Sequence, residues 1–534
     1  MAPGPDHLPR RTFLTASLAG AAALGLAACS SEDETATEES TTTSTSPPPE
    51  LSGDPFTLGV ASGDPTPEAV VLWTRLLTPG KDVPEEDIEV VWEVAADEGF
   101  SETVATGVAT AAAKWGHSVH VDVTDLEPAT DYWYRFTVGD ATSPVGRTNT
   151  VAASGTDPVR MAVCTCQGYS VGYYTAHRYM AEDDVDVVFF NGDFIYDFEA
   201  GGDLRPHGLG PPTTLEEYRA IYEVGLGDAD LAANRSVHPW VLTWDDHEVE
   251  DNYAGLVPGE LSVRSGTAPP DFAARRADAY QAWWEHQPVR SPEPDGPDLP
   301  IYRSLRFGDL VNMAVLDTRQ YRDEQVKEGN LPGIDEILNY GAQTPPVFDE
   351  DRQMLGEEQE QWLLEEIEAS DTTWFVLGQQ SLMGGWNLDP TMPDGLWSTD
   401  TWDGYVAQRA RVLDALAEGD PGSVVTVGGD IHHSIVQSLR RDPTELDSEV
   451  IGSEFICPSV TSQSSESPEE IANIASAPYI EYYDGTRRGY MLMEFTEDDV
   501  TAEMVYVDAR TEDAPREVGV TVRATTDDPV PETV

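Results

Sequence analysis

The stretch Val185–Asp197, VDVVFFNGDFIYD, contains the pattern that decides the fold. Its first half is an apolar run with the length and composition of a strand that is buried on both faces. Its second half is polar and brings Asp193 and Tyr196 just beyond the point where the strand would end. Because ligands bind at the carboxyl ends of strands in open α/β sheets, these two side chains are candidates for a binding site.

Apolar runs of the same kind alternate with helical stretches through the rest of the chain. The predicted strands are VRMAVCTCQ (Val159–Gln167), VDVVFFNGD (Val185–Asp193), WVLTWDDHE (Trp240–Glu248), VNMAVLDTR (Val311–Arg319), TWFVLGQQS (Thr373–Ser381), SVVTVGGDIHH (Ser423–His433), YMLMEF (Tyr490–Phe495) and VTAEMVYVDA (Val500–Ala509). Helices are predicted around Tyr280 and over Glu357–Ala369. Buried strands connected by helices indicate an α/β layered domain.

Four of these strands end in side chains that are common metal ligands. The candidates are Cys166, Asp193, Tyr196, Asp245, Asp246, His247, Asp430, His432 and His433. Each of these residues also has a structural interpretation. An Asp after a strand often caps a helix, and Asp245 or Asp246 could have only this role. His433 could likewise be a structural residue. Their joint occurrence favours a metal site, because the strand ends converge if the sheet is continuous.

The region between Phe56 and Val151 has a different pattern, in which short strands are separated by turns rich in Gly, Pro and Asp. The predicted strands are AVVLWTRL (Ala69–Leu76), IEVVWEVA (Ile88–Ala95), HSVHVDV (His117–Val123) and DYWYRFTVG (Asp131–Gly139). Strands of this length and spacing are typical of a β-sandwich of the immunoglobulin or fibronectin type. We expect the boundary with the α/β domain near Gly155–Pro158.

The first residues predict an export signal. Arg10 and Arg11 precede the uncharged stretch Leu14–Ala28, a pattern that resembles a twin-arginine signal, with an ordinary secretory signal as the alternative. Leu26–Cys29 resembles a lipobox, so we expect lipidation of Cys29, with simple secretion as the alternative. After the N-terminus, the sequence contains no apolar run of the length of a transmembrane helix.

Ser31–Pro49 consists almost wholly of Ser, Thr, Glu, Asp and Pro. Such a composition cannot bury enough apolar area to fold, so we expect a flexible linker. The expected organisation is a signal over 1–28, a linker over 29–52, a β domain over 53–152, a catalytic domain over 157–510 and a C-terminal tail over 511–534.

The chain is strongly acidic, because 97 Asp and Glu against 31 Lys and Arg give a formal net charge of −66. Such a surface repels itself at low salt and is screened at high salt, which favours a salt-tolerant or halophilic source. The same charge argues against nucleic acid or an anionic membrane surface as a bound partner.

If Cys29 is lipidated, the odd number of remaining cysteines argues against a disulfide framework. Cys164 and Cys166, two apart on a predicted strand, should point the same way.

In their order along the chain, these motifs resemble the PhoD-type alkaline phosphatases, which belong to the calcineurin-like metallophosphoesterases. The similarity rests on Cys166, NGDFIYD (191–197), WDDHE (244–248), LDTRQYR (316–322), GGDIHH (428–433), SEFICPSVTS (453–462) and FTLGVASGDPTPEAVVLWTRL (56–76). It covers nearly all of 56–508. The resemblance implies an enzyme that hydrolyses phosphate esters.

The resemblance also implies a centre of one Fe(III) and two Ca(II). Cys166, Asp193, Tyr196 and His432 match the iron ligands of the family, and Asp193 also bridges towards calcium. Thiolate, tyrosinate and carboxylate stabilise ferric over ferrous iron through their negative charge.

On the calcium side, the resemblance matches Asp430 and the WDDHE segment. Either Asp245 or Asp246 would be the ligand there. We favour Asp246 because it directly precedes His247, as the Asn does in the Gly-Asn-His motif of the wider superfamily. Carboxylates suit a hard cation such as calcium.

His247 and Arg319 each have two interpretations. His247 would hydrogen-bond the phosphoryl group or protonate the leaving alkoxide, or it would only orient Asp246. Arg319 would contact phosphate, but we favour a buried structural salt bridge.

We therefore expect a β-sandwich domain followed by a four-layer α/β/β/α metallophosphatase domain. The expected function is hydrolysis of phosphate monoesters and diesters by a monomer that the twin-arginine machinery exports. The enzyme would be held by a lipid anchor at the outer face of the cytoplasmic membrane, or secreted. The alternatives are a phosphodiesterase or phospholipase-type esterase with the same metals, and a non-catalytic surface lipoprotein that binds phosphate or metal.

Overall fold

The computed structural model describes residues 51–199, 204–330, 339–389, 395–464 and 468–534. The predicted signal, the lipidation of Cys29 and nearly all of the linker lie outside the described residues. Within the described ranges, no helix combines the length and the apolar character needed to cross a membrane.

The strands of the described residues are short, and most are buried on at least one face. They are β1 Val60–Gly63, β2 Val70–Arg75, β3 Ile88–Ala95, β4 Thr103–Ala111, β5 Ser118–Val123, β6 Asp131–Val138, β7 Ala141–Thr142, β8 Gly146–Asn149, β9 Val159–Cys164, β10 Val187–Asn191, β11 Pro239–Thr243, β12 Arg303–Phe307, β13 Val311–Val315, β14 Tyr340–Gly341, β15 Trp374–Gly378, β16 Trp397–Ser398, β17 Ser423–Gly428, β18 Ser434–Arg440, β19 Val450–Ile456, β20 Ile480–Asp484, β21 Arg488–Phe495, β22 Asp499–Val507, β23 Arg516–Thr525 and β24 Glu532–Thr533.

The α-helices of the described residues connect these strands. They span Thr175–Glu182, Leu215–Leu226, Ala229–Val237, Glu260–Ser265, Phe272–His286, Gly356–Ala369, Val406–Gly419 and Pro468–Ile474.

Ten strands form the largest sheet, in the order β24-β23-β22-β21-β9-β10-β11-β1-β2-β5. Its centre is parallel, because β10 pairs in parallel with β9 on one side and with β11 on the other. Phe190 of β10 lies opposite both Cys164 of β9 and Leu242 of β11, so the three strands end at nearly the same level. This register places the loops that follow them side by side.

Seven strands form a second sheet, in the order β12-β13-β15-β17-β19-β18-β20. The two sheets face each other across a common core of fully buried side chains. Met161, Phe189 and Val241 from the first sheet meet Met313 and Val425 from the second in this core. Burial of apolar side chains between the sheets is therefore the main force that holds the two layers together.

Helices cover the outer faces of both sheets. Leu215–Leu226 and Phe272–His286 pack on the ten-stranded sheet, and Gly356–Ala369 and Val406–Gly419 pack on the seven-stranded sheet. The layers are therefore helix, sheet, sheet and helix, which confirms the predicted α/β/β/α domain.

The strands before residue 150 form a β-sandwich around buried side chains that include Val70, Leu72, Val90, Tyr134 and Phe136. One layer is the sheet β4-β3-β6-β7, with β8 paired to β6. The other layer consists of β1, β2 and β5, which are also one end of the ten-stranded sheet because β1 pairs in parallel with β11. The sandwich thus shares a sheet with the α/β layers.

The range 511–534, set apart as a tail in the sequence analysis, contains β23 and β24. β23 pairs with β22 in antiparallel fashion, and its Val522 and Ala524 are buried in the core between the sheets. These residues therefore extend the ten-stranded sheet.

Candidate metal centre

The loops that follow β9, β10 and β11 lie next to each other and carry the first candidate residues. Cys166 and Asp193 each come two residues after their strand, and Asp245 and Asp246 come directly after β11 and Trp244. The backbone N–H of Cys166 donates to the carbonyl of Gly192 at 3.1 Å, which joins the first two loops. All four candidate side chains are buried.

The carboxylate of Glu248 joins the β10 and β11 loops. It accepts hydrogen bonds from the backbone N–H groups of Asp193 at 3.0 Å, Phe194 at 2.6 Å and Asp245 at 2.8 Å. Gly192 has a φ of 105°, and a Cβ atom there would lie 2.5 Å from the Cβ of Asp245, so this close approach requires glycine. Burial raises the pKa of Glu248 to about 7, although the three N–H groups favour its charged form.

The fourth loop comes from the other sheet. Asp430 and His432 follow β17 of the seven-stranded sheet, so the four strand ends do not belong to one continuous sheet. They converge because the two sheets face each other and their loops touch. A Cβ atom on Gly429 would lie 2.6 Å from Cγ2 of Thr165, so glycine permits this contact between the β17 and β9 loops.

Four candidate ligands have a left-handed backbone conformation, which is uncommon for residues other than glycine. The φ angle is 54° at Cys166, 59° at Asp193, 68° at Asp430 and 60° at His432. Such conformations cost about 1 kcal/mol or more each and persist where the surrounding structure fixes them, often at functional sites. The residues with this uncommon backbone conformation are therefore the same residues that the sequence motifs identify as candidate ligands.

The candidate ligands form three overlapping groups, and within each group the ligand atoms all lie within 4.8 Å of one another. The groups are Cys166, Asp193 and His432; Asp193, Asp246 and His247; and Asp245, Asp246 and Asp430. Asp193 joins the first group to the second, and Asp246 joins the second to the third. The side chains thus form one continuous cluster that offers more than one set of ligands.

Tyr196 and His432 are oriented towards each other at one end of the cluster. The phenol oxygen of Tyr196 lies 3.0 Å from Oδ2 of Asp193 and 3.0 Å from Nε2 of His432, and Ser462 donates to it at 2.6 Å. Nδ1 of His432 donates to the carbonyl of Gln463 at 2.8 Å, which leaves the lone pair on Nε2. Burial lowers the pKa of His432 to about 3, which keeps this imidazole neutral.

Arg319 is fully buried at the other end of the cluster. Its Nε donates to Asp245, and its Nη1 lies 2.8 Å from a carboxylate oxygen of Asp400. Its Nη2 lies 3.8 Å from Asp246 and 3.7 Å from Asp430. Arg319 therefore forms the buried salt bridge favoured in the sequence analysis.

Two buried carboxylate oxygens have no hydrogen-bond partner among the residues that the structure describes, namely Oδ2 of Asp245 and Oδ1 of Asp246. Buried carboxylate oxygens that accept no hydrogen bond are costly, and a cation is the partner that suits them. Burial raises the pKa of Asp245, and it raises that of Asp430 to about 6. Burial acts against the charge of Asp246 too, but Arg319 and His247 lower the pKa of Asp246 below its ordinary value. The donor set therefore fits a bound cation.

His247 is fixed by a hydrogen bond to a second acidic residue. Its Nδ1 lies 2.7 Å from Oδ1 of buried Asp197, which can only accept, so Nδ1 carries the proton. Its Nε2 lies 3.8 Å from a carboxylate oxygen of Asp251. Although burial opposes a charged imidazole, Asp246 and Asp193 raise the pKa of His247 well above its ordinary value, and the bond to Asp197 raises it further.

The cluster lines a cavity of about 310 Å³. The candidate residues in its wall are Asp193, Tyr196, Asp246, His247, Asp430 and His432. Phe198, Tyr340 and Trp386 add aromatic surface to the same wall. A cavity of this size suits a small molecule, and the carboxylates in its wall would repel an anion unless cations were bound to them.

A larger cavity of about 490 Å³ shares Gln463 with the first. Its Arg487 pairs with Asp484, and its Arg516 pairs with Asp183. It is lined by none of the candidate ligands, so the chemistry points to the smaller cavity.

Two candidates from the sequence lie outside the cluster. His433 is buried and bonds through Nδ1 to the hydroxyl of Tyr483. Cys164 lies in the core between the ten-stranded sheet and its helices. β9 ends at Cys164, so Cys166 lies in the loop after the strand and the alternation of side chains along a strand does not apply to it. The prediction that both cysteines point the same way along one strand is therefore wrong.

Four residues that contribute to the site were not predicted from the sequence: Asp197, Glu248, Asp400 and Ser462. Three of them lie inside the quoted motifs NGDFIYD, WDDHE and SEFICPSVTS, so their place beside the candidate ligands was the available signal. Asp400 lies in a loop with no recognisable pattern, and its contacts with Arg319 and Arg322 and its place in the cavity wall reveal it.

The segment Gly168–Gly172 matches the Gly-x-Ser-x-Gly pattern of serine hydrolases. Its Ser170 is buried in a short 3₁₀ turn after β9. No hydrogen bond joins Ser170 to a histidine within the described ranges, so the arrangement of a serine nucleophile with its base is not formed there.

Comparison with known proteins finds one family over most of the chain. The profile of the PhoD-like phosphatases matches residues 161–504, and that of the PhoD-like phosphatase N-terminal domain matches residues 41–152. Alkaline phosphatase D of Bacillus subtilis (strain 168) is 41% identical over 456 residues, which cover 82% of this chain and 75% of that protein.

Solved structures give the same result. A structure of PhoD has a TM-score of 0.84 and 36% identity, covering 91% of this chain and 93% of its own. Purple acid phosphatase PPD1 from yellow lupin (Lupinus luteus) seeds has a TM-score of 0.55 and 10% identity, covering 87% of this chain and 74% of its own. At that identity, the second likeness shows a shared fold alone.

The two neighbouring cysteines give a matched test of the cluster. We expect Cys166→Ser to lose bound metal and most phosphatase activity while the protein stays folded, because Cys166 belongs to the cluster. Cys164→Ser should keep both and lose only modest stability from a buried hydroxyl. Metal content per chain, phosphatase rate and melting temperature of both variants provide the check. Retention of metal by Cys166→Ser together with its loss from Cys164→Ser would contradict the assignment.

Proposed function

The chain belongs to the PhoD-like phosphatase family and is a phosphoric ester hydrolase, and we propose that it cleaves phosphate monoesters and diesters with iron and calcium bound at the cluster. The observation that carries this proposal is the overlap of three ligand groups through Asp193 and Asp246. Residues that are shared between groups are suited to bridge two cations.

Cys166, Asp193, Tyr196 and His432 would hold the iron. Their thiolate, carboxylate, phenolate and neutral imidazole groups favour ferric iron through negative charge and nitrogen donation. The hydrogen bond from Ser462 to Tyr196 supports this proposal, because it would stabilise the phenolate.

Asp246 and Asp430 would hold calcium, together with an oxygen of Asp193. This set contains only oxygen donors, which hard cations prefer. Asp246 lines the cavity and belongs to two of the three ligand groups, whereas Asp245 belongs to one group and does not line the cavity. These contacts support Asp246 over Asp245 as the main ligand.

When bound, the cations would supply Lewis-acid activation of a water nucleophile and neutralise charge on the phosphoryl oxygens. The side chains themselves position the ester: the aromatic groups of Phe198, Tyr340 and Trp386 would contact its organic part. The local positive charge would also allow a dianionic group to bind inside a protein with a net charge of −66.

His247 would donate the proton from Nε2 to the leaving oxygen of the ester. Asp197 fixes the ring through Nδ1, so that Nε2 is the nitrogen left for this task. The acidic groups around His247 favour its protonated form, which a general acid requires. The alternative, that His247 only orients or binds the cluster, is supported by its place in the second ligand group.

We propose that the protein acts outside the cytoplasmic membrane. The sequence of Arg10, Arg11 and the apolar stretch that follows supports export by the twin-arginine route, and Cys29 supports a lipid anchor. The acidic composition supports a salt-rich environment.

Metal removal tests the proposed cofactors. After treatment with EGTA, we expect calcium to restore the hydrolysis of p-nitrophenyl phosphate and bis-p-nitrophenyl phosphate, and zinc to fail, because the calcium side has oxygen donors only. Iron should remain at about one atom per chain through the treatment, measured by elemental analysis. Restoration by zinc but not by calcium would refute the proposed metals while leaving the family assignment intact.

Leaving-group dependence tests the role of His247. In His247→Gln, we expect the rate with an alkyl phosphate, whose leaving group needs a proton, to fall by about 10²-fold or more. The rate with p-nitrophenyl phosphate should fall far less, because p-nitrophenolate leaves without protonation. Asp197→Asn should show a weaker form of the same pattern. An equal fall with both substrates, accompanied by loss of metal, would instead identify His247 as a ligand.

A further inference from the structure

β4 (Thr103–Ala111) is an unusual strand for such a highly charged protein. Its sequence, TVATGVATA, contains no charged residue and no proline, although 24% of the whole chain is charged. It lies at one end of the five-stranded sheet, where it pairs with β3 alone. Its other edge therefore presents backbone N–H and C=O groups without a strand partner in the described residues.

The side chains of β4 are also exposed. Val104 is 44% exposed and Val108 is 61% exposed. Val91 of β3, directly opposite Val108, is 42% exposed. Thr106 and Thr110 lie on the same outer face, so the surface of the strand consists of β-branched residues, which favour strand pairing.

Natural proteins protect edge strands with lysines, prolines, bulges, short length or a covering segment, because a bare edge pairs with other chains. β4 has nine residues, and none is charged or proline. Its pairing with β3 shifts register once, between Val94 and Ala95, where Val104 of β4 has no opposite residue, so the strand is regular from Ala105 to Ala111. An edge with these properties is suited to pair with another strand.

The pattern of β4 is suited to pairing with itself. If two copies pair in antiparallel fashion about Gly107, within the regular stretch of the strand, Thr106 of each copy lies opposite Val108 of the other. On the other face, Ala105 would lie opposite Ala109, and the two glycines would meet at the two-fold axis. Every pair then matches in size, and no charges oppose each other.

We propose that the protein forms a symmetric dimer in which two copies pair through the outer edges of β4. The partner is a second copy, because an antiparallel pair of identical strands closes with two-fold symmetry. In a chain with a net charge of −66, pairing through an uncharged strand places no two charges directly opposite each other. This proposal replaces the monomer expected from the sequence alone, and it does not depend on the proposed catalytic chemistry.

The dimer should strengthen with salt. Each copy carries the same large negative charge, so association is opposed at low ionic strength and favoured when the charge is screened. The strand contributes no residue to the wall of the catalytic cavity, so dimer formation should leave the phosphatase rate unchanged.

Two substitutions that each add one negative charge form a matched test. Val108→Glu would bring a carboxylate against Thr106 of the second copy on both sides of the axis. Thr142→Glu adds the same charge to exposed Thr142 in β7, at the opposite end of the β4-β3-β6-β7 order. We would measure the molar mass of each protein by light scattering after gel filtration, from 0.1 to 2 M NaCl and up to about 100 μM protein.

The unmodified protein and Thr142→Glu should show twice the mass of one chain, with a dimer fraction that rises with NaCl. Val108→Glu should stay monomeric or weaken the dimer at least about tenfold, because it buries two charges in the interface. All three should have the same phosphatase rate, and the same melting temperature at low protein concentration and low salt, where the unmodified protein is also monomeric. A monomer throughout for the unmodified protein would overturn the proposal, as would a dimer that Val108→Glu and Thr142→Glu affect equally.

Discussion

The site depends on the carboxylate of Glu248, which holds the loops after β10 and β11 against each other through three backbone N–H groups. These bonds fix Asp193 and Asp246 in the close arrangement that links the three ligand groups. Several carboxylates are buried together in this arrangement, with Arg319 as a fully buried counter-charge. Burial of so much negative charge is unfavourable unless cations neutralise it, so the same geometry that weakens the metal-free protein creates affinity for metal.

Much of the α/β architecture could be predicted because its central strands are buried on both faces and give long apolar runs. β10, β15 and β17 lie within the predicted runs, and β11 begins one residue before its run. β4 was missed, because TVATGVATA is exposed on one face and shows no clear alternation of apolar and polar residues. The assignment of strands to two facing sheets was also beyond the sequence, because pairing between distant strands leaves no local pattern.

The ligands at strand ends could be predicted because each follows a recognisable apolar run. The residues that orient them were harder to find, since their role exists only in three dimensions. Asp197 acts through its bond to His247, and Asp400 acts through Arg319. The left-handed backbone at Cys166 and Asp430 could not be predicted either, because neither residue type requires it.

The central claim, that the cluster holds ferric iron through Tyr196, can be tested most directly by visible absorption. The purified protein should have a band from charge transfer between the phenolate and iron, and Tyr196→Phe should abolish or strongly shift that band. Tyr340→Phe, in the wall of the same cavity, should leave it unchanged. A band that is identical in Tyr196→Phe and in the unmodified protein, at equal iron content, would contradict the claim.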